Sequence, residues 1–148
     1  MRVVFLDVDG VLNRIGYVPA DDLPDGLAGW IEPELGARLT ALVRDTGAVV
    51  VMSSSWREDH TLAELRAELA LAGVDVPLID LTPVRFGEPR WTEIAAWCGV
   101  HRPDHFVIID DLHDMGPLAD HHVRTNVLAG LDDAAADAAR AVLQVPAL

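Results

Sequence analysis

A chain of 148 residues that is 51% hydrophobic is long enough for one domain with a proper core and too apolar to be disordered. Its formal charge of −13 argues against a nucleic-acid-coating surface, and its eleven basic residues, all arginine, are scattered without a stripe of interleaved aromatics, so an extended duplex is a poor partner. A lone cysteine, Cys98, a short N-terminal apolar run without a cleavage pattern and the lack of any span-length apolar stretch predict a cytoplasmic protein with no membrane partner.

Val3 to Leu6 is a continuous apolar run, as expected of a parallel strand buried on both faces. Asp7 and Asp9 leave that run together and Gly10 follows. Asp and Gly are ordinary turn residues. Close carboxylates nevertheless repel one another and burial penalises each, and a hard divalent cation such as Mg2+, which prefers oxygen ligands, removes both costs. Asn13 to Ile31, around Pro19 and Pro24, reads as a loop. Pro33 to Asp45 places Leu35, Leu39, Leu42 and Val43 on one helical face, with proline at its start and Gly47 just past its end.

Ala48 to Met52 is a second buried strand, and it runs into Ser53, Ser54 and Ser55, then Trp56 and Arg57. Hydroxyls and amides at such a strand end suit phosphate oxygens. Ser55-Trp-Arg-Glu58 and Thr61-Leu-Ala-Glu64 both have capping-box spacing. Arg57 reads equally as a substrate contact or a solvated group at a helix start. A helix carrying Leu62, Leu65 and Leu69 closes at Gly73, a short strand spans Val76 to Ile79, Leu81 to Pro89 is a loop, and Trp91 to Cys98 is helix-like. His105 to Ile109 is another apolar run, again ending in paired carboxylates, Asp110 and Asp111. Two such strands discharging at one end of a sheet would place three or four carboxylates around one metal.

His113 and Asp114 read as a helix start at the rim, His121 to Thr125 as a last strand, and Asp132 as the cap of an Ala-rich helix through Leu143. Strand and helix alternate throughout, which predicts an open α/β sheet with the Asp7 strand central and the site beyond the strands' carboxyl ends. His101, His105, His121 and His122 lack zinc-site spacing and read as surface residues. Tyr17, Trp30 and Phe86 are candidates to stack on a base, although local packing is the commoner role of each.

In order and kind these residues resemble the haloacid dehalogenase-like (HAD) hydrolase superfamily. Asp7 and Asp9 match its first motif, a serine of Ser53 to Ser55 the second, Arg90 the third, where the family usually has lysine and Arg85 competes, and Asp110 with Asp111 the fourth. SSSWRE, RWTEIAAW, IIDD and a late Gly-Leu before a helix are also similar to a small HAD-like group associated with RNA repair proteins. The resemblance implies a three-layer Rossmann-like open parallel sheet, one domain over 1–148, with minimal or no cap, acting as a Mg2+-dependent phosphatase. In that scheme Asp7 attacks phosphorus to give an aspartyl-phosphate, and Asp9 is the general acid and base, its pKa raised by burial and neighbouring carboxylates. The metal is held by Asp7, the Asp9 backbone carbonyl, Asp110 and Asp111.

Ser54 and Arg90 hold the transferring oxygens, and Gly10, Ser53, Ser55 and Arg57 are the expected substrate-binding residues. Counting back from Trp56, the resemblance places the motif hydroxyl at Ser54, which is the expected contact, although Ser53 is the first hydroxyl after the apolar run. The missing cap implies an open site for a phosphorylated small molecule, a nucleotide or a nucleic-acid end, or a partner protein that supplies the lid. Two other classes compete: a HAD-like binding module without turnover, and a response-regulator-like receiver. The receiver would require a lysine, and the chain has none.

Overall fold

The computed structural model describes residues 1–19 and 26–144; the stretch of the Asn13 to Ile31 loop around Pro24 lies outside the described residues. Strands β1 (Arg2–Leu6), β2 (Val49–Met52), β3 (Leu78–Leu81), β4 (His105–Asp110) and β5 (His122–Arg124) form one parallel sheet in the order β3-β2-β1-β4-β5. β1 is central because Val3, Val4, Phe5 and Leu6 are all fully buried, which requires cover on both faces. The chain builds outward through β2 and β3, then returns to the other side of β1 to lay down β4 and β5. That reversal puts the topological switch point between β1 and β4, where open α/β sheets hold their ligands.

The two faces are covered by helices α1 (Pro33–Thr46), α2 (Leu62–Leu71), α3 (Arg90–His101) and α4 (Asp133–Leu143). Val4 and Leu6 pack with Val50, Met52, Val107 and Ile109 against α1, α2 and α4 in the larger core. Val3 and Phe5 pack with Val51 and Ile108 against Ile94 and Trp97 of α3 in the smaller one. Alternate residues of each strand therefore belong to opposite layers. Phe5 anchors the smaller core by edge-to-face contacts with Trp97 and Phe106, at centroid separations of 5.4 and 5.6 Å.

Local signals set the element ends. Pro33 occupies the first turn of α1, and Gly47, at φ 68°, donates its N–H to Val43 O to close it. Thr61 and Glu64 form a reciprocal capping box on α2, and Asp132 accepts from Ala135 N on α4. Other boundaries differ from expectation. The third strand is Leu78–Leu81 rather than Val76 to Ile79: Pro77 accepts from Val50 N at 2.9 Å but has no N–H to donate, and paired residues begin at Leu78. The segment after β4 forms no helix at His113; Asp114 accepts from Gly116 N and starts a 3₁₀ turn over Gly116–His121, followed by a strand of only His122–Arg124. His101 is exposed as expected while stacking on Trp97 at 3.9 Å, whereas His121 is half-buried against Phe106 at 3.8 Å and is not the plain surface residue expected. No helix among the described residues is long and apolar enough to cross a membrane.

Candidate active site

The sheet register aligns the polar residues that leave the strands. Leu6 pairs with Met52 on one side and with Ile109 on the other, so the next rung sets Ser53, Asp7 and Asp110 side by side. Backbone bonds continue the ladder into this rung, with Asp7 N donating to Ile109 O at 3.1 Å and Ser53 N to Leu6 O at 3.0 Å. By the alternation of the strands all three side chains belong to the layer of α3. The first residue of that helix, Arg90, donates from Nη1 to Asp110 Oδ2 at 2.8 Å and lies 3.3 Å from Asp7 Oδ1.

Asp7, Asp110 and Asp111 each offer a carboxylate oxygen within 4.8 Å of the others. Asp7 and Asp110 are buried. Burial, and then the charge of Asp110, push the Asp7 carboxyl up to about 8, although Arg90 works in the opposite direction. Burial works against the charge of Arg90, but Asp110 and Asp7 hold its guanidinium above its ordinary value. With Asp7 ionised, as a bound cation would keep it, three carboxylates against one guanidinium leave two negative charges, and the all-oxygen donor set fits a divalent hard cation. Arg85 does not reach this cluster: its backbone N–H binds Glu93 Oε2 at 2.7 Å and its side chain turns toward Glu88.

The three serines separate by face. Ser53 Oγ is buried and has no hydrogen-bond partner. Ser54 lies one residue on, past the alternation that gives Ser53 the Asp7 face, and its Oγ accepts from Trp56 N at 3.2 Å as the cap of the 3₁₀ turn Ser55–Glu58. The capping box expected from Ser55 is therefore not formed, since the turn starts at Ser55 and its cap is the preceding residue; Ser55 itself is exposed. Arg57 is not a solvated group. Its Nη2 pairs with Glu93 at 2.8 Å, and its remaining donors bind the carbonyls of Ser53, Ser54, Thr82 and Pro83.

Asp9 is exposed, contrary to the burial expected of it. Its Oδ1 accepts from Asn13 Nδ2 at 3.0 Å and its Oδ2 from Trp56 Nε1 at 3.3 Å. Gly10 makes this turn at φ 81°, and a Cβ there would meet Asp111 Oδ2 at 2.8 Å. Its N–H is taken by Asn13 Oδ1 at 3.1 Å and its carbonyl by the buried hydroxyl of Thr125 at 2.8 Å, so its role is steric and its amide is not free for a ligand. Asn13, Trp56, Glu93 and Thr125 are the residues that sequence reasoning missed. Asn13 carries the one local signal, its place one turn after Asp9.

A parallel sheet with carboxylates from β1 and β4 meeting at its switch point, an arginine from α3 between them and no cap domain among the described residues defines a HAD-like fold. Residues 3–136 match the family described as the HAD domain in Swiss Army Knife RNA repair proteins, and the chain belongs to that family. Neither the curated proteins nor the solved structures contain a match to it. Membership places the chain among the HAD-type hydrolases and phosphatases in general.

Proposed function

We propose that the protein is a Mg2+-dependent phosphomonoester hydrolase that works through an aspartyl-phosphate on Asp7. The observation that carries this reading is the single rung of Ser53, Asp7 and Asp110, with Arg90 bound to both carboxylates and the Ser53 hydroxyl unpartnered. Asp7, Asp110 and Asp111, with the Asp9 backbone carbonyl, would hold the cation. When bound, it neutralises charge between nucleophile and substrate. An Asp7 oxygen attacks phosphorus, the P–O ester bond breaks and the leaving oxygen takes a proton from Asp9. Asp9 then takes a proton from water as that water attacks phosphorus, which frees phosphate, restores Asp7 and recharges Asp9 for the next turnover. Both Asp9 oxygens accept hydrogen bonds from Asn13 and Trp56, the arrangement suited to the proton-accepting step. Arg90 and Ser53 cradle the transferring oxygens, and Arg57 supports the loop that presents Ser53.

The testing experiment is phosphate release across aryl phosphates, nucleotides and phosphate-ended oligonucleotides, with Mg2+ and with chelator. Release that chelator abolishes is the expected outcome. A folded protein that releases nothing from any of them would sink this reading and leave a binding module of the same fold.

The serine assignment has its own test. Ser53→Ala should cut kcat/KM by roughly tenfold to a hundredfold, the range for losing a neutral donor to a developing charge. Ser54→Ala, which loses a cap, should cost stability of about 1 kcal/mol and much less activity. Steady-state kinetics beside thermal melts separate the two, and the reverse ranking would return the role to Ser54.

A further inference from the structure

A cleft of about 290 Å³ opens beside the acidic cluster, and Arg90 lines both. Leu112, which also lines it, donates its N–H to Asp110 Oδ1 at 3.0 Å, so two lining residues touch the carboxylates directly. The loop between β3 and α3, which carries Phe86, also lines the cleft. Of the three aromatics that the sequence offers for stacking, Phe86 is by far the most open, at 86% exposure against 39% for Trp30, while Tyr17 is half-buried.

An aromatic so exposed would ordinarily lie on a slack loop, yet this loop is tied at both ends. Arg85 N donates to Glu93 Oε2 at 2.7 Å, Glu88 N donates to Arg85 O at 3.1 Å, and Arg57 clamps Thr82 and Pro83 from beneath. These bonds fix the backbone that carries Phe86, so the loop itself needs little ordering on meeting a ligand. The cleft's charges also cancel, with Arg57, Arg85 and Arg90 set against Glu58, Glu88 and Glu93. Most of these groups are already paired within the fold, Arg57 with Glu93, Arg85 with Glu88 and Arg90 with Asp7 and Asp110, so the cleft holds no spare positive charge for a second phosphate. The cleft suits the face of a planar, neutral ring, against which the exposed Phe86, Val84 and Leu112 supply apolar surface.

We propose that this cleft is a base subsite, taking the nucleobase of a terminal nucleotide onto Phe86 while that nucleotide's phosphate lies at Asp7 and Arg90. The inference rests on the hydrolase reading above and narrows it from phosphate esters at large to the ends of nucleic acids or single nucleotides. The open site and the family's link to RNA repair agree with it. Stacking on an aromatic is sequence-tolerant, so no strong preference among bases is expected.

The test compares wild type, Phe86→Ala and Phe86→Trp on a phosphate-ended trinucleotide and on the same molecule with an abasic terminal residue, in Mg2+. For Phe86→Ala the ratio of kcat/KM between the base-bearing and abasic substrates should fall roughly tenfold, the size of one base–aromatic stack, with Phe86→Trp restoring it. An unchanged ratio overturns the subsite even if phosphate release is brisk. If nothing is turned over, the hydrolase reading fails on its own terms. Calorimetric titration of the same three proteins with a nucleoside monophosphate and with ribose phosphate then decides the subsite: base-dependent affinity lost in Phe86→Ala sustains it, and equal affinities overturn it.

Discussion

Asp7→Asn is expected to abolish phosphate release, by at least about a thousandfold, while raising the thermal stability of the metal-free protein. The two effects have one origin. Asp7 lies buried beside buried Asp110, and the burial that makes its charge costly pushes its carboxyl up to about 8. An unfolded chain ionises the same group near 3.8. Between those values the folded metal-free protein binds a proton that the unfolded chain releases, so rising pH favours unfolding across that window. Below it both states are protonated and the group has no effect; above it the penalty is complete. Asparagine is nearly isosteric and never ionises, so it removes that slope along with the nucleophile.

Melting curves of the chelated proteins from pH 4 to pH 8 check the stability half. Wild type should lose stability relative to Asp7→Asn as pH rises, and saturating Mg2+ should raise the Tm of wild type more than that of the variant. A variant that still released phosphate would refute the covalent mechanism. Parallel pH slopes in the two proteins would mean that the Asp7 charge is relieved in the fold without metal.

The acidic half of this site was legible because its signals are local. An apolar run that ends in carboxylates announces a buried strand discharging into a site, and two such runs separated by alternating helices fix which strand ends meet. Arg90 came only from the resemblance, with Arg85 as a rival, and it stands as the first residue of a helix expected to start at Trp91. What escaped was set by pairing between distant segments. Ser53 and Ser54 are indistinguishable along the chain, and only the Leu6–Met52 register says which one shares the Asp7 face. The exposure of Asp9 depends on the turn at Gly10, whose steric reason is Asp111, a residue from another strand. Arg57 reads equally as a substrate contact or a solvated group until Glu93, from a later helix, is placed over it.

Arg57→Ala should therefore act first on stability. The Arg57 side chain is 3% exposed and its partner Glu93 9%, so the pair is fully withdrawn from water. Its donors bind the carbonyls of Ser53 and Ser54 at 2.8 and 2.9 Å, Thr82 at 3.0 Å and Pro83 at 3.3 Å, tying the end of β2 to the loop that leads into α3. Truncation would strand Glu93 as a lone buried charge and release four carbonyls, a loss of about 3–5 kcal/mol, or a fall in Tm on the order of 10 °C. Arg57→Lys keeps the charge but not the fork, and should recover only part of this. Adding Glu93→Gln to Arg57→Ala removes the stranded charge and should restore some of the lost stability, an effect that a substrate contact would not produce. Activity should fall in Arg57→Ala too, because Ser53 and Arg90 sit on the segments that Arg57 joins, but as a drop in kcat at temperatures where the protein is still folded. If instead the melt were unchanged and KM alone rose, Arg57 would be a substrate ligand after all and the ion pair with Glu93 a minor feature of the fold.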